Sequence, residues 1–242
     1  MNNEIFLSII IPAYNEEHRI SKTLLDINEK LAKKNWNYEI LVVNDGSKDK
    51  TSDVVNNLIS KIKNLKLIDN KENNGKGYVV RQGMLAAQGK YRLFMDADNS
   101  TTIDQFDNFL PYFEQGYDIV IGSIEIQGAK INEQAGFYRR FLGKFGKLLI
   151  RLMLGLKIYD TQRGFKAFLD YTVEPIFKRQ TILRWGFDFE ILYIANKLGF
   201  KIKEVPVIWN NPSESKVKPS AYISVLLELL KVRLNALLGK YK

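Results

Sequence analysis

The sequence has no cysteine and a single histidine, His18, among its 242 residues. The lack of cysteine excludes disulfides, thiolate zinc sites, iron–sulfur clusters and a cysteine nucleophile. A histidine-rich metal site is excluded as well, so a bound metal would have to lie on carboxylates, which favours Mg²⁺ or Mn²⁺. A Ser-His-Asp triad would need His18, and no G-x-S-x-G motif is present to accompany it.

Long apolar runs are also missing. The first residues lack the basic segment of a signal peptide, and the apolar run at 5–11 is too short for one. The most apolar later stretch, 221–238, carries Glu228, Lys231 and Arg233 in its middle, which a membrane-spanning helix rarely tolerates. We therefore expect a cytoplasmic protein that lies peripherally on the cytoplasmic face of a membrane.

Charge and length bound the remaining classes. Lys and Arg number 36 against 27 Asp and Glu, a net charge of +9, and 45% of the residues are apolar. Such a chain folds around a sizeable core, and its basic balance favours nucleic acid, anionic lipid headgroups or phosphorylated substrates as partners. The length predicts one α/β domain over residues 1–212, followed by a C-terminal amphipathic helix over 213–242 that contacts a membrane.

The first half alternates between β-branched apolar runs and helical stretches. Strands are predicted at 5–11 (ended by Pro12), 39–43, 65–68, 91–95 and 118–121, with helices at 16–34, 51–62, 77–87 and 103–113. This order predicts βαβ units and a mostly parallel, Rossmann-like sheet flanked by helices. In such sheets ligands bind at the carboxyl ends of the strands.

Polar or glycine-rich loops follow four of these strands, at 12–16, at Asp45, at 73–77 and at 96–98. Asp96 and Asp98, two positions apart at the end of a strand, can converge on one divalent ion. The alternative is a turn in which Asp98 caps the next helix. The same edge of the sheet is thus predicted to carry a site.

Three other places carry candidate chemistry. The glycines at 73–77 would let the backbone, Lys76 and Arg81 approach a phosphate, or they form an ordinary loop and helix cap. Asp45 would hold a tight turn or accept hydrogen bonds from a base or ribose. Asp188 lies among aromatic residues, so it is either a buried acid with a raised pKa or a surface acid at a helix start.

The segment 137–157 has no acidic residue and predicts a basic amphipathic helix. Its basic side chains recur at helical spacing beside apolar faces, and a second amphipathic helix is predicted at 221–238. Both would lie at a membrane interface, or the basic run is a solvated face. The basic residues are Arg139, Arg140, Lys144, Lys147, Arg151 and Lys157.

Together these residues resemble glycosyltransferase family 2, the inverting enzymes with the GT-A fold. In the second half the chain is similar to the polyprenyl-phosphate branch, most of all to dolichyl-phosphate β-glucosyltransferases. The stretches that carry the resemblance are 8–17 (SIIIPAYNEE), 42–47 (VVNDGS), 74–77 (NGKG), 96–98 (DAD), 118–123 (DIVIGS), 137–140 (FYRR), 160–166 (DTQRGFK) and 184–188 (RWGFD).

The resemblance implies a role for each matching residue, with Asp98, Asp188, Arg139 and Arg140 acting in catalysis. Asp96 and Asp98 would bind Mg²⁺ or Mn²⁺, and Lys76 would lie near the diphosphate. The nucleoside would be held by Pro12, Tyr14, Glu16 and Asp45, the lipid phosphate by Arg139 and Arg140, and the sugar and acceptor region would be lined by Gln162, Arg163 and Asp188.

The reaction implied is transfer of a hexose, glucose, from a UDP-sugar to a polyprenyl or dolichyl phosphate. A phosphate acceptor is largely ionised near neutral pH and needs little or no general base, whereas a hydroxyl acceptor would need one, for which Asp188 is the candidate. The alternatives are a hydroxyl acceptor on a saccharide or protein, GDP-mannose as donor, a nucleotidyltransferase, and a non-enzymatic binder of anionic polymers or membranes. No nucleic-acid partner is expected, and the oligomeric state is left open.

Overall fold

The computed structural model describes residues 4–132, 137–210 and 220–242, and side chains in all of these except 137–142 and 220–222. The strands are β1 (Leu7–Ala13), β2 (Tyr38–Asp45), β3 (Leu65–Asn70), β4 (Tyr91–Met95), β5 (Ile119–Ser123), β6 (Lys130–Ile131), β7 (Phe165–Leu169), β8 (Ile202–Pro206) and β9 (Ile208–Trp209). The helices are α1 (Ile20–Ala32), α2 (Thr51–Ile59), α3 (Lys76–Ala86), α4 (Leu110–Glu114), α5 (Phe137–Leu154), α6 (Asp170–Phe177), α7 (Phe187–Lys197) and α8 (Ser220–Leu237).

Seven strands form one sheet in the order β3-β2-β1-β4-β7-β5-β8. Every neighbouring pair is parallel except those made by β7, which lies antiparallel between β4 and β5. Strands β6 and β9 form a separate parallel pair. The mostly parallel sheet predicted from the sequence is confirmed.

Strand β1 shows why the apolar runs are continuous. Ile10 packs into a core on one side of the sheet with α3 and α7, whereas Ile9 and Ile11 pack on the other side against α1. Because helices cover both faces, both sets of alternating side chains must be apolar. This layering leaves the strand ends as the places where polar side chains can gather.

The prediction that β1 ends at Pro12 is wrong, since the strand continues to Ala13. Pro12 pairs with Val43 of β2, but the ladder with β4 covers only residues 7–10 of β1. Pro12 therefore lies beyond the β4 ladder, at the end of the strand, where a missing N–H is tolerated.

Two helices differ from the prediction. The first begins at Ile20, because residues 16–19 form a turn in which the carbonyl of Glu16 accepts from the N–H groups of Arg19 and Ile20. The stretch 103–113 divides into a 3-10 helix (Ile103–Asn108) and the short helix α4.

Helix α8 packs against α5 and α7. Its residues Leu229 and Val232 are buried in the same core as Phe187 and Phe189 of α7. The hydroxyl of Tyr241, just after the helix, donates to the buried carboxylate of Glu190 at 2.7 Å. Among the helices in the described ranges, none combines the length and apolar character needed to cross a bilayer.

Candidate active site

The carboxyl ends of β1, β2 and β4 meet at one edge of the sheet, as the parallel order requires. Asp45 ends β2, and Asp96 follows β4 directly. The loop at 73–75 and the start of α3 reach both, through hydrogen bonds to Asp45 and an ion pair from Lys76 to Asp96. The structure thus brings Asp45 and Asp96, which are 51 positions apart in the sequence, to the same edge of the sheet.

Asp45 organises the glycine-rich loop. Its buried carboxylate accepts hydrogen bonds from the backbone N–H groups of Asn74 (2.7 Å) and Gly75 (3.0 Å) and from the side-chain amide of Asn73 (2.9 Å). Burial raises the pKa of Asp45, while the two N–H donors and the charge of Arg184 oppose that shift. In this arrangement the carboxylate holds the loop, and its predicted contact with a nucleoside stays a prediction.

Gly75 allows a second loop to approach. It has a φ of +102°, and a Cβ there would lie 2.4 Å from the carbonyl oxygen of Leu183. The N–H of Tyr78 donates to the same carbonyl at 3.1 Å. The segment before α7 is therefore fixed against the start of α3, which places Asp188 near the strand ends.

Lys76 and Asp96 form the central ion pair, with Nζ 2.6 Å from Oδ1. Burial lowers the pKa of Lys76, but the carboxylates of Asp96, Asp188 and Asp98 more than offset this and raise it above its ordinary value. Burial and the neighbouring Asp96 raise the pKa of Asp98. The three carboxylates thus lie in one region near Lys76.

Gly164 holds Asp96 in place. The N–H of Asp96 donates to the Gly164 carbonyl at 3.1 Å, and a Cβ at Gly164 would lie 2.2 Å from Asp96 Oδ2. Only glycine permits this approach without displacing the carboxylate. Gly164 lies in the stretch 160–166 that carries the family resemblance, but the sequence alone indicates no role for it.

Asp188 is buried in the first turn of α7, and the ammonium of Lys166 donates a hydrogen bond to it. Lys166 lies on β7, is itself buried, and also donates to the carbonyl of Arg163 at 2.6 Å. The prediction that Asp188 is a buried acid with a raised pKa is confirmed, burial being the cause. Lys166 was missed, because a single lysine in a short strand indicates nothing until its partner is known.

The loop before β7 is held by a second buried acid, Asp160. It pairs with Lys147 at 3.3 Å and with Nε of Arg163 at 3.4 Å, and the guanidinium of Arg163 lies 4.6 Å from the ring centroid of Trp209. Burial opposes ionisation, but Arg163 and Lys147 hold the pKa of Asp160 below its ordinary value. Gln162 is half-buried in the same loop.

The predicted nucleoside-binding residues at the end of β1 lie near Asp45. Pro12 is buried, Tyr14 is exposed, and the carboxylate of Glu16 makes two hydrogen bonds of 2.8 Å with the guanidinium of Arg19. The N–H of Glu16 donates to the hydroxyl of Thr51 at 2.8 Å. Their roles toward a ligand stay predictions.

The basic helix is only partly as predicted. Arg139 and Arg140 belong to α5, but their side chains lie outside the described residues. Further along, Lys147 turns toward Asp160 and Glu125, and the guanidinium of Arg151 lies 4.1 Å from the ring centroid of Tyr159. Two of the basic residues therefore anchor the helix rather than face solvent.

A contact between the site and α8 was also not predicted from the sequence. The N–H of Gly186, two residues before Asp188, donates to Glu228 of α8 at 2.6 Å. Burial raises the pKa of Glu228. Beside this contact, the exposed ring of Trp185 lies 5.8 Å from Nζ of Lys76. A residue of α8 thus contacts the loop that leads into α7, the helix that carries Asp188.

Comparison with known proteins accounts for this arrangement. A family model described as Glycosyl transferase family 2 matches residues 8–177. The dolichyl-phosphate beta-glucosyltransferase of Dictyostelium discoideum is 37% identical over 253 residues, covering 99% of this chain and 77% of that protein. A dolichyl-phosphate beta-glucosyltransferase of Trichomonas vaginalis is 38% identical over 245 residues, covering 98% and 76%.

Among solved structures, glucosyl-3-phosphoglycerate synthase of Mycobacterium tuberculosis, in complex with Mn²⁺, UDP-glucose and phosphoglyceric acid, superimposes with a TM-score of 0.68. The match covers 95% of this chain and 80% of that one at 17% identity, so it shows the fold alone. The sheet order, the matched family and the full-length relatives agree. The chain is a glycosyltransferase with the GT-A fold and belongs to glycosyl transferase family 2.

Proposed function

We propose that this enzyme transfers glucose from UDP-glucose to a polyprenyl or dolichyl phosphate, with inversion at the anomeric carbon. The observation that carries the proposal is the cluster of Lys76, Asp96, Asp98 and Asp188 at the strand ends, in a chain similar over nearly its full length to dolichyl-phosphate beta-glucosyltransferases. The residue cluster supports the sugar-nucleotide donor, and the similarity supports the lipid phosphate acceptor.

The carboxylates at the strand ends are suitable ligands for a divalent cation. In the described part of the chain no group of three or more Asp, Glu or His side chains is placed to hold a metal ion. A cation here would rest on two protein carboxylates, and we propose Asp96 and Asp98. Mg²⁺ and Mn²⁺ are commonly held by one or two carboxylates together with substrate phosphates, and the firmly placed Asp96 suits that arrangement. When bound, the ion would neutralise charge on the leaving diphosphate. We assign it as Mg²⁺ or Mn²⁺.

The chain's own residues would act by charge and position. Lys76 would stabilise negative charge on the departing UDP, since it is a cation at the edge where the phosphates would lie. Asp45 would keep the loop at 73–75 close, and Arg163 with Gln162 would line the sugar side. Asp188 would orient the acceptor or sugar, because an ionised phosphate acceptor needs little or no general base.

The acceptor side would be formed at α5 and α8. These helices pack against each other, and both carry large apolar side chains exposed to solvent, of which Leu152 (73%) and Leu237 (72%) are the extremes. The others are Phe145, Leu148, Ile223, Leu226, Leu227, Leu230, Leu234 and Leu238.

We call these ten side chains the apolar surface. Such a large exposed apolar patch is typical of an interaction site, and with Arg139 and Arg140 on the same pair of helices it suits an anionic lipid interface. We propose that the chain binds peripherally at the cytoplasmic face of a membrane. The division into a domain at 1–212 and a membrane-contacting helical segment at 213–242 belongs to this proposal.

A transfer assay tests the function. Radiolabelled UDP-glucose or GDP-mannose is incubated with polyprenyl phosphate, detergent and Mn²⁺, and label in the organic phase is counted. We expect label from UDP-glucose, lost in Asp96→Ala. Transfer from GDP-mannose instead would identify the mannosyl alternative. Hydrolysis of UDP-glucose without lipid labelling would support the donor site and favour a hydroxyl acceptor.

Two outcomes would place the chain elsewhere. Release of pyrophosphate from a nucleoside triphosphate and a sugar phosphate would indicate a nucleotidyltransferase. Binding of anionic vesicles or nucleic acid that Asp96→Ala leaves unchanged, with no turnover of any donor, would indicate a non-enzymatic binder.

A further inference from the structure

The ammonium of Lys76 lies beside Asp96, where a metal cation bound by this carboxylate would lie. Its Nζ lies 2.6 Å from Oδ1, and its side chain is 19% exposed against 31% for Asp96. Asp96 is the carboxylate that contacts the amine, and Asp98 and Asp188 add attraction from a greater distance. The amine is therefore held at Asp96 in a half-buried place.

The two partners differ in their freedom to move. The N–H of Asp96 is hydrogen-bonded to the Gly164 carbonyl, and its short side chain packs closely against Gly164. Lys76 instead has a long, flexible side chain and begins a helix directly after Gly75. Any exchange of partners at this ion pair would thus be made by the lysine. The nearby loop at 73–75 is the region where the donor diphosphate was predicted to bind. Because the N–H groups of Asn74 and Gly75 already donate to Asp45, the charge of Lys76 is the main attraction for a phosphate at this place.

We infer that Lys76 acts as a counter-ion that holds the metal position at Asp96 and moves to the donor diphosphate when metal and nucleotide bind together. This inference rests on the proposed function, because it requires a nucleoside diphosphate and a divalent cation at the site. It gives Lys76 a role beyond contact with phosphate, namely to couple the binding of the two ligands.

The physical reason is like-charge repulsion. A divalent cation that binds alone must separate Lys76 from Asp96 and leave the two cations side by side. The other nearby carboxylates are engaged, since Asp98 would bind the same metal and Asp188 is paired with Lys166. A diphosphate supplies a free anion for the amine. Metal and nucleotide should therefore bind cooperatively, and the coupling must be the same whichever ligand binds first.

The experiment measures binding, with no acceptor present. Free Mn²⁺ is determined by electron paramagnetic resonance during titration of the full chain, with and without UDP. The variants are Lys76→Gln, which removes the charge, and Lys76→Arg, which keeps it. Lys71→Gln, an exposed lysine in the preceding loop, is the matched control. Circular dichroism confirms that each variant is folded.

For the wild-type chain we expect UDP to strengthen Mn²⁺ binding by about tenfold or more, within the usual range of coupling between sites. Lys76→Gln should bind Mn²⁺ alone about tenfold more tightly, so its coupling to UDP should fall by about the same factor. The coupling that remains would come from direct contact between the metal and the diphosphate. Lys76→Arg and Lys71→Gln should resemble wild type.

Lys76→Gln binding Mn²⁺ alone no more tightly than wild type would overturn the inference, as would coupling to UDP that is as strong in this variant as in the wild-type chain. Failure of the proposed function is a separate result. If the lipid phosphate is not glycosylated but the Mn²⁺ and UDP titrations behave as expected, the role of Lys76 stands and only the acceptor is wrong.

Discussion

The ammonium of Lys166 and the carboxylate of Asp188 form an ion pair in which both side chains are buried. The partners come from different elements, β7 and the first turn of α7. Burial raises the pKa of Asp188 and lowers the pKa of Lys166, and the attraction between the charges opposes both shifts. The antiparallel strand inserted into the sheet thus supplies the partner of the predicted catalytic acid.

Removing one member of this pair should be costly. Lys166→Met leaves a buried carboxylate without its partner, so we expect the free energy of unfolding to fall by about 3–5 kcal/mol. The double variant Lys166→Met with Asp188→Leu should recover most of that loss and still lack transfer activity. Urea denaturation measures the stabilities, with the exposed Lys61→Met as control. A single variant as stable as wild type would show that the pair is not formed.

Asp160 should make the free energy of unfolding depend on pH in the acidic range. Because Arg163 and Lys147 hold its pKa below the ordinary 3.8, its ionised form stabilises the fold fully at pH values above 3.8, and this contribution is lost as the pH falls through the lower folded-state pKa. We expect Asp160→Asn to cost about 3 kcal/mol at pH 7 and progressively less below pH 3.8.

Urea denaturation of the wild type and Asp160→Asn between neutral and acidic pH checks this. Glu174→Gln is the control, since that carboxylate pairs with Lys178 on the exposed surface. A difference between wild type and Asp160→Asn that is constant with pH, or that grows toward acid, would refute the assignment of the shift to these ion pairs.

Two glycines offer a matched pair for the metal site. A Cβ at Gly164 would lie 2.2 Å from Asp96 Oδ2, whereas one at Gly146 in α5 would meet nothing within 4 Å. Gly164→Ala should displace Asp96 and weaken Mn²⁺ binding in the presence of UDP by about tenfold or more, as is usual when a residue that positions a metal ligand is changed. Gly146→Ala should leave binding intact and stabilise the helix by up to about 1 kcal/mol.

Calorimetric titration of both variants with Mn²⁺ and UDP makes the comparison. Equal affinity in Gly164→Ala and Gly146→Ala would mean that the position of Asp96 is not set by the backbone at 164.

The apolar surface should bind lipid. Leu234 and Leu237 are exposed on the outer side of α8, and burying one leucine side chain contributes about 1.5–3 kcal/mol. The variant Leu234→Glu with Leu237→Glu should therefore lose at least about tenfold in binding to anionic vesicles. Leu25→Glu, a comparably exposed leucine of α1, is the control, and sedimentation with vesicles is the measurement. Equal losses in the two variants would argue against a specific lipid-facing surface.

The sequence was informative where a pattern is local. Strand β4 was predicted at its observed bounds, and the polar loops after the strands did converge, because parallel strands place their carboxyl ends at one edge. Asp45 and Asp96 were identified in this way.

Contacts between distant segments were not predictable. Lys166 and Asp188 are separated by 22 positions, and neither pattern nor spacing indicates that they pair. The helical spacing of the basic residues predicted α5, but it could not indicate that Lys147 pairs with Asp160, a buried acid on another loop. For α8 the amphipathic pattern gave the helix, whereas its contact through Glu228 depends on the tertiary fold.

The central claim is that the sugar is transferred to a phosphate, and phosphorus-31 nuclear magnetic resonance tests it most directly. The enzyme is incubated with UDP-glucose, Mn²⁺ and a polyprenyl phosphate, and the acceptor resonance is followed. The account predicts that the phosphomonoester signal is replaced by that of a glycosyl phosphodiester in step with the appearance of UDP. An unchanged phosphomonoester signal while UDP accumulates would contradict it.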